Sequence, residues 1–493
     1  MRLLDCASLL CDKHALGSHE FLSIKFQSLL MKSFVPPACG VWILFVLASF
    51  VHAQENWPQF RGVDATGLAT GNPPLEWSIE DGTNVAWKVP IAGLGHSAPI
   101  VWEDRVFITT AISSQDEKPS LAIGWEGGAG EPAPDQGDWT WKVICLDRNS
   151  GKEIWNRDAK TGTPTIKRHM KASHANCTPA TDGKHVVAFL GSEGLYCYDY
   201  DGKLKWKVDL GRLHSGPYNA EELEWGFASS PVIHGDHVIV QCDCLNTGFV
   251  AILNLENGEE IRRIERHDVA TWSTPCIFEW QGKTQIVCNG YKEMAGYDYE
   301  SGERLWTLSG GGDVPVPTPL FHDGLIYLSN GHARSHCYAI SPDAIGDISP
   351  DEDTDELPEG LAWFQRRGGS YMPTPIIVDD LHYTCDDRGV LTVRETKTGE
   401  EVYQRRVSEA GNNFTASAVA TKNHIYFPAE KGDILVIKTG REYELVATNS
   451  VGEVVMSTPA IAGDQLFIRT AGHLVCISAQ AESKAENLKA NDP

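Results

Sequence analysis

One unit recurs eight times along the chain, and that recurrence limits the fold more than any other feature. Each unit opens on a Ser/Thr-x-Pro anchor or its equivalent, at Pro99, Pro179, Pro231, Pro275, Pro319, Pro375, Ser417 and Pro459. The intervals between anchors are 80, 52, 44, 44, 56, 42 and 42 residues. After each anchor come a few alternating apolar residues and a tight turn such as "EDR", "DGK" or "HDG". A second strand follows ("VFITT", "VIVQC", "LFIRT"), then a Gly-rich turn and a third strand. Several units close on a turn and a Trp-bearing fourth strand, as in "DRNSGKEIW" and "DYESGERLW". Short strands of period two, separated by Gly, Asp and Asn turns, are an all-β signature. Four strands at a period of about 40–45 residues is the spacing of propeller blades.

The eighth unit stops after "HLVCIS" without its Trp strand, while "NVAWKV" (Asn84–Val89) stands before the first anchor with no unit of its own. The expected fold is therefore an eight-bladed β-propeller of four-stranded antiparallel blades. The N-terminal strand should complete the last blade, so that no edge is left open. Trp87, Trp155, Trp206, Trp306 and Trp363 end fourth strands and are expected to dock between blades. Asp147, Asp199 and Asp298 should tie down the tight turns through backbone hydrogen bonds.

The unit "Ser/Thr-x-Pro … Asp-x-x-Ser/Thr-Gly-x-x-x-Trp" resembles the repeat of the pyrroloquinoline quinone (PQQ)-like eight-bladed propellers. That group includes quinoprotein alcohol dehydrogenases and the propeller lipoprotein of the outer-membrane β-barrel assembly machinery. The opening "NWPQFRG" (Asn56–Gly62) with "GLGHSAPI" is similar to exported bacterial members without an assigned role. The resemblance covers residues 56 to about 478. It is specific for fold and says little of function, since one such fold hosts many activities.

Residues 31–54, "MKSFVPPACGVWILFVLASFVHAQ", place Lys32 before an 11-residue apolar run (Val41–Val51) and small residues before Gln54. That is the pattern of a secretory signal, and the run is short for a membrane span. The expected organisation is an N-terminal extension and signal over 1–53 with its start at Met31, a propeller over 54–478, and a disordered tail over 479–493. A periplasmic or secreted monomer follows, with no membrane span after cleavage. A formal charge of -24 excludes nucleic acid as a partner, because phosphates call for Lys/Arg surfaces.

Export with 13 cysteines would ordinarily suggest disulfides. Cys145, Cys197, Cys337 and Cys476, however, are read as one repeat position, which the architecture holds apart in separate blades. They are expected to be small buried thiols. Cys242 and Cys244 in "CDC" are read either as redox-active or as strand residues.

In a four-stranded blade, the loop leading into the innermost strand and the turn between strands two and three share one face. The lead-in loops bring His96, His174, Asn176, Trp225, Trp272 and Asn413 to one mouth of the central channel, the expected ligand-binding site. Tyr371 and Glu453 come from the same loops. Asn246, Lys292, His332, Arg388, Lys431 and His473 come from the turns. The blade-one insert between Ala111 and Trp141 falls in the same class of turn and is either a lid or a disordered loop. The acidic tract from Asp347 to Gly360 lies on the opposite face. It lacks the Gly at position six and the Glu at twelve of a calcium loop, so a solvated loop is expected.

No phosphate-binding loop, zincin helix or nucleophile elbow occurs, and no catalytic or metal residue is assigned. The expected function is a binding or scaffold protein that holds a protein or peptide partner of the cell envelope, or a small ligand, at the channel mouth, without a cofactor. The second reading, implied by the resemblance, is a PQQ-dependent alcohol or sugar dehydrogenase with Ca²⁺. Such enzymes stack PQQ between a Trp and a vicinal Cys-Cys disulfide, and no two cysteines are adjacent in this chain.

Overall fold

The computed structural model describes residues 56–124, 130–245, 247–332, 334–351, 354, 356–408 and 411–479. They form eight antiparallel sheets in a ring, each ordered outward from its innermost strand. Blade 1 comprises Ile100–Trp102, Arg105–Ser113, Trp139–Asp147 and Glu153–Gly162. Blades 2 to 7 follow as consecutive four-strand units over 180–208, 232–266, 276–308, 320–365, 376–406 and 419–450. Blade 8 takes Ala460–Ala462, Gln465–Arg469 and His473–Ile477, and its outermost strand is Val85–Pro90, with Trp87 opposite Cys476. The N-terminal strand closes the ring as the sequence predicts. The expectations for the signal region (1–53) and for most of the tail (479–493) concern residues 1–55 and 480–493, which lie outside the described residues.

Two kinds of contact join neighbouring blades. At the outer radius of four seams the fourth-strand Trp lies on the tight turn of the following blade and donates its indole N–H to a turn carbonyl, whereas Trp306 of blade 4 is buried with its N–H unpartnered. Trp87 bonds Arg148 at 2.9 Å, Trp155 bonds Tyr200 at 3.1 Å, Trp206 bonds Leu255 at 2.9 Å and Trp363 bonds Thr396 at 2.7 Å. The turn glycine is required for this approach: a Cβ on Gly202 would sit 2.6 Å from the Trp155 ring, and one on Gly258 2.7 Å from Trp206. The aspartates act as expected, Asp147 and Asp298 each accepting the backbone N–H of the turn serine at 2.8 Å.

At the inner radius the Ser/Thr before the anchor proline forms a belt. The amides of Ala98, Thr178 and Ser230 donate to the hydroxyls of Thr178, Ser230 and Thr274 in the next blade, at 2.9–3.0 Å. The amides of Thr318, Thr374 and Ser417 donate to Thr374, Ser417 and Thr458 at 2.9–3.1 Å. The two remaining seams use the preceding serine: Ser273 donates to the Pro317 carbonyl at 3.0 Å and Ser457 to Ser97 at 3.1 Å. Buried amides need such partners, which explains why the anchor carries a hydroxyl residue at all.

Three details differ from the sequence reading. Ser417 is the belt hydroxyl, so Ala418, directly before the strand Val419–Ala420, takes the place of the proline. Cys145, Cys197 and Cys476 share one register, but Cys337 lies two residues earlier, and Ala339 faces Trp363 in its stead. The loop between strands three and four of blade 5 adds a short strand, Gly346–Asp347, parallel to Trp306–Thr307 of blade 4. All ten described cysteines are buried and unpaired, and burial pushes the thiols of Cys145, Cys197, Cys337 and Cys476 up to about 12. Cys242 and Cys244 belong to the apolar core between blades 2 and 3.

The segment before the closing strand crosses the channel. Trp57 pairs with Val101 of blade 1, and the Pro58 carbonyl accepts the amide of Thr181 in blade 2. On the other side Gly67 accepts the amide of Ala420 in blade 7 at 2.8 Å. Between them Arg61, fully buried, donates to the carbonyls of Ala65, Thr66, Pro375 and Ala418 at 2.8–3.1 Å. A Cβ on Gly67 would stand 2.7 Å from that guanidinium. "NWPQFRG" is thus a plug that closes the channel at the end away from the mouth.

Replacing Trp87 by Ala should destabilise the protein by about 3–5 kcal/mol, since a buried Trp leaves a cavity at the closing seam. Chemical denaturation would check this, and a loss below about 1 kcal/mol would show that closure does not depend on the strand. Alkylation followed by mass spectrometry should label none of the ten described cysteines natively and all of them in denaturant without reductant. A disulfide between any two would contradict the strand register that keeps them apart.

Candidate functional site

The lead-in loops and the turns between strands two and three surround a cavity of about 870 Å³, floored by Phe60 of the plug. The channel is therefore a cup open at one mouth. His96, Asn176, Trp225, Trp272 and Asn413 line it, as do His332, Tyr371 and Arg388. His174 does not. Its side chain is buried beneath the wall, edge-on to Trp139 at 4.7 Å, with Nε2 3.0 Å from Asp135. Among the residues noted only for their place on this face, Lys292, Lys431, Glu453 and His473 lie outside the cavity lining, and Asn246 falls outside the described residues.

The aromatic wall is the most defined part. Trp225 and Trp272 come from the loops leading into blades 3 and 4, with ring centroids 5.7 Å apart and planes inclined by 34°. Their N–H groups are spent on the carbonyls of Gly130 at 2.6 Å and Gly226 at 2.7 Å. What they offer a ligand is flat apolar surface. The polar residues are held in place likewise. Asn176 accepts the amide and hydroxyl of Ser173, both at 2.9 Å, and donates to Phe227 at 3.1 Å. Asn413 donates to the Asp387 carbonyl at 3.3 Å.

Burial lowers His96 to about 4, helped by the charge of Arg168. His169, edge-on to Trp225, is likewise lowered to about 4 by burial, with Lys171 contributing. Both rings are neutral at neutral pH, and His96 Nε2–H donates to the Lys171 carbonyl at 3.1 Å. Burial and the neighbouring Asp386 raise Asp387.

The blade-one insert roofs part of the mouth. Ser120 and Ala122 bond the 168–170 loop, and the Gly124 amide reaches across to Glu430 of blade 7 at 2.5 Å. Gly130 receives Trp225, and Ala133 donates to the Arg168 carbonyl at 2.7 Å. Buried Arg168 grips Asp135 through two bonds of 2.7 and 2.8 Å, and His174 completes the cluster. His174 is thus an anchor for the roof. Of the two readings of the insert, its described flanks fit the lid; residues 125–129 lie outside the described residues.

A family model described as "Outer membrane protein assembly factor BamB" matches residues 141–243 and 246–485. The chain belongs to this family. No curated protein compared with the chain matches it. Solved structures of this general shape include BamB from Moraxella catarrhalis, at 14% identity, covering 75% of this chain and 98% of that one with a TM-score of 0.46. The computationally designed Ika8 protein covers 71% and 95% at 11% identity and a TM-score of 0.47. The C-terminal WD40 domain of Sif2 covers 77% and 98% at 12% identity and 0.49.

The family resemblance raises PQQ with Ca²⁺, and the cup offers a test of fit. Calcium takes six to eight oxygen ligands, with carboxylates prominent. Among the described residues no group of three or more His, Cys, Asp or Glu side chains is assembled to hold a metal. Glu430, the buried carboxylate at the rim, is already engaged by Lys171 at 2.6 Å, Thr415 at 2.5 Å and Gly124.

Replacing Arg168 by Ala would leave the Asp135 carboxylate without its bidentate partner, which costs about 3–5 kcal/mol for a buried pair. The expected result is a lower melting temperature and new proteolytic cleavage between residues 112 and 140. A variant that melts lower but resists cleavage there would show that the roof is held by something else.

Proposed function

We propose that the chain is an exported binding propeller that holds an extended segment of a partner protein of the cell envelope in its cup. The observation that carries this reading is the cup itself: a blind cavity of about 870 Å³, one wall of which presents the faces of Trp225 and Trp272. Fixed aromatic faces supply contact area at little entropic cost, and such anchors dominate binding energy at interfaces. The lining hydrogen-bond groups are held by their neighbours, so the wall is formed before a ligand arrives. Membership of a family described as an outer membrane protein assembly factor supports a protein partner and the envelope. The signal pattern over residues 31–54 supports export. Among the described residues no helix is long and apolar enough to cross a membrane.

Replacing Trp225 and Trp272 together by Ala should reduce partner capture at least tenfold in a pull-down from envelope extract, while the circular dichroism spectrum stays unchanged. Replacing Asp351 and Glu356 on the far face by Asn and Gln should alter capture less than twofold. The opposite pattern would move the working surface to the other face.

A further inference from the structure

Seven residues of the inner belt line the cup: Thr178, Ser230, Thr274, Thr318, Thr374, Ser417 and Thr458. Six of them accept a neighbouring blade's amide hydrogen. A hydroxyl carries one proton besides its acceptor lone pairs, and none of these six donates that proton to a described protein group. The Thr318 hydroxyl, buried, has no partner of either kind. The belt therefore rings the cup with unspent O–H donors.

The cavity lining carries Lys171, Arg334 and Arg388 together with the carboxylates Asp386 and Asp387, and two buried arginines stand behind it. Arg469, the last residue of the second strand of blade 8, is 1% exposed, and its Nε, Nη1 and Nη2 have no hydrogen-bond partner. It acts electrostatically on His96, which lines the cup. Glu453, the carboxylate whose field reaches Arg469, is already bonded to Thr470 at 2.6 Å and Lys88 at 3.1 Å. Arg469 borders the blade 8–blade 1 seam, where Ala98 leaves the belt without its eighth hydroxyl. On the floor, Arg61 beside Phe60 is satisfied by carbonyls alone. Burial draws both guanidiniums down to about 9, still charged at neutral pH. A buried guanidinium with neither a carboxylate nor any other hydrogen-bond partner, as at Arg469, is costly to keep because its charge has been taken out of water.

We propose that the base of the cup binds an oxyanion head group, a carboxylate or phosphate, with the belt hydroxyls as donors and Arg469 and Arg61 supplying the positive field. This deepens the binding reading and rests on the cup being the site. The head group belongs either to a free small anion or to the C-terminal carboxylate of the held segment, whose preceding side chains then meet Trp225 and Trp272.

The test uses the full mature protein in chloride buffer at matched ionic strength, followed by tryptophan fluorescence and melting temperature. Inorganic phosphate or citrate should raise the melting temperature saturably by several degrees. Acetyl-Ala-Ala-Phe as the free acid should bind at least tenfold more tightly than its C-terminal amide if the head group is a chain end. Binding of phosphate or citrate without discrimination between the peptides assigns the site to a free anion. No oxyanion effect over chloride, from salts or peptide, overturns the proposal.

Arg469→Met removes an unpaired buried charge. It should melt no lower than the native protein in chloride and lose the oxyanion response. A structural arginine would give the reverse, and a folded variant with an unchanged response also overturns the proposal. Should that variant fail to fold, Thr318→Val decides: its hydroxyl bonds nothing in the protein, so stability in chloride should hold while oxyanion affinity falls at least threefold. An unchanged affinity there is equally fatal. If the Trp225/Trp272 double variant loses its partner while no oxyanion binds, the binding reading stands and this one falls.

Discussion

A ring of eight sheets holds only if its blades are tied where they crowd most closely, at the inner strands. There the chain cannot use ordinary sheet pairing, because neighbouring blades face each other side on. At six of the eight seams the belt solves this with a side-chain hydroxyl that accepts the neighbouring blade's amide, and at the other two a serine hydroxyl donates to a carbonyl instead. An unmade buried bond costs about 1–3 kcal/mol. The tryptophans do the complementary work at the outer radius, where blades diverge and the gap needs a large ring to fill it. Hydroxyl inside and indole outside together fix the angle between blades.

The same ties create the cup. With the inner strands held by their own anchors, the axis needs no further side chains and stays open, so closing it at one end falls to the N-terminal segment. That segment runs from Trp57 at blade 1 past Arg61 to Gly67 at blade 7, then continues along blades 7 and 8 into the closing strand. Plug and closure are one stretch of chain, which couples the floor of the cup to the integrity of the ring. Phe60 makes the floor apolar, and the Arg61 bonds to Pro375 and Ala418 hold it against blades 6 and 7.

The repeat made the blades legible in the sequence, because strand period, turn glycine and tryptophan are local signals. The closing role of Asn84–Val89 was legible by elimination, a strand without a blade paired with a blade short of a strand. Register was less accessible: Cys337 looked equivalent to the other three cysteines, but "HCYAISP" lacks the aspartate turn that would fix the alignment, and the strand sits two residues off. At the mouth, loop geometry brought five of six candidates to the cavity. His174 lies beneath the wall because its place depends on Asp135, a residue 39 positions away in an insert whose path no local pattern specifies. Arg61 and Arg469 were not visible as anything but ordinary arginines, since burial of a charge is a tertiary fact. The belt hydroxyls were in plain sight as part of the anchor, though their use as donors emerges only when their acceptor side is seen to be filled.

Departures from the repeat are where this protein differs from a plain ring; besides those at the blade 4–blade 5 seam and in blade 7, several meet where blade 8 joins blade 1. Blade 1 has the alanine in place of a belt hydroxyl and the long insert that roofs the mouth. Blade 8 is assembled from both ends of the chain and buries an arginine with no partner. The plug begins at blade 1. A repeat that served only to fold would have an apolar residue at 469, because that change relieves a buried polar defect. The oxyanion proposed for the cup would supply the partner that the fold itself leaves unmet at Arg469.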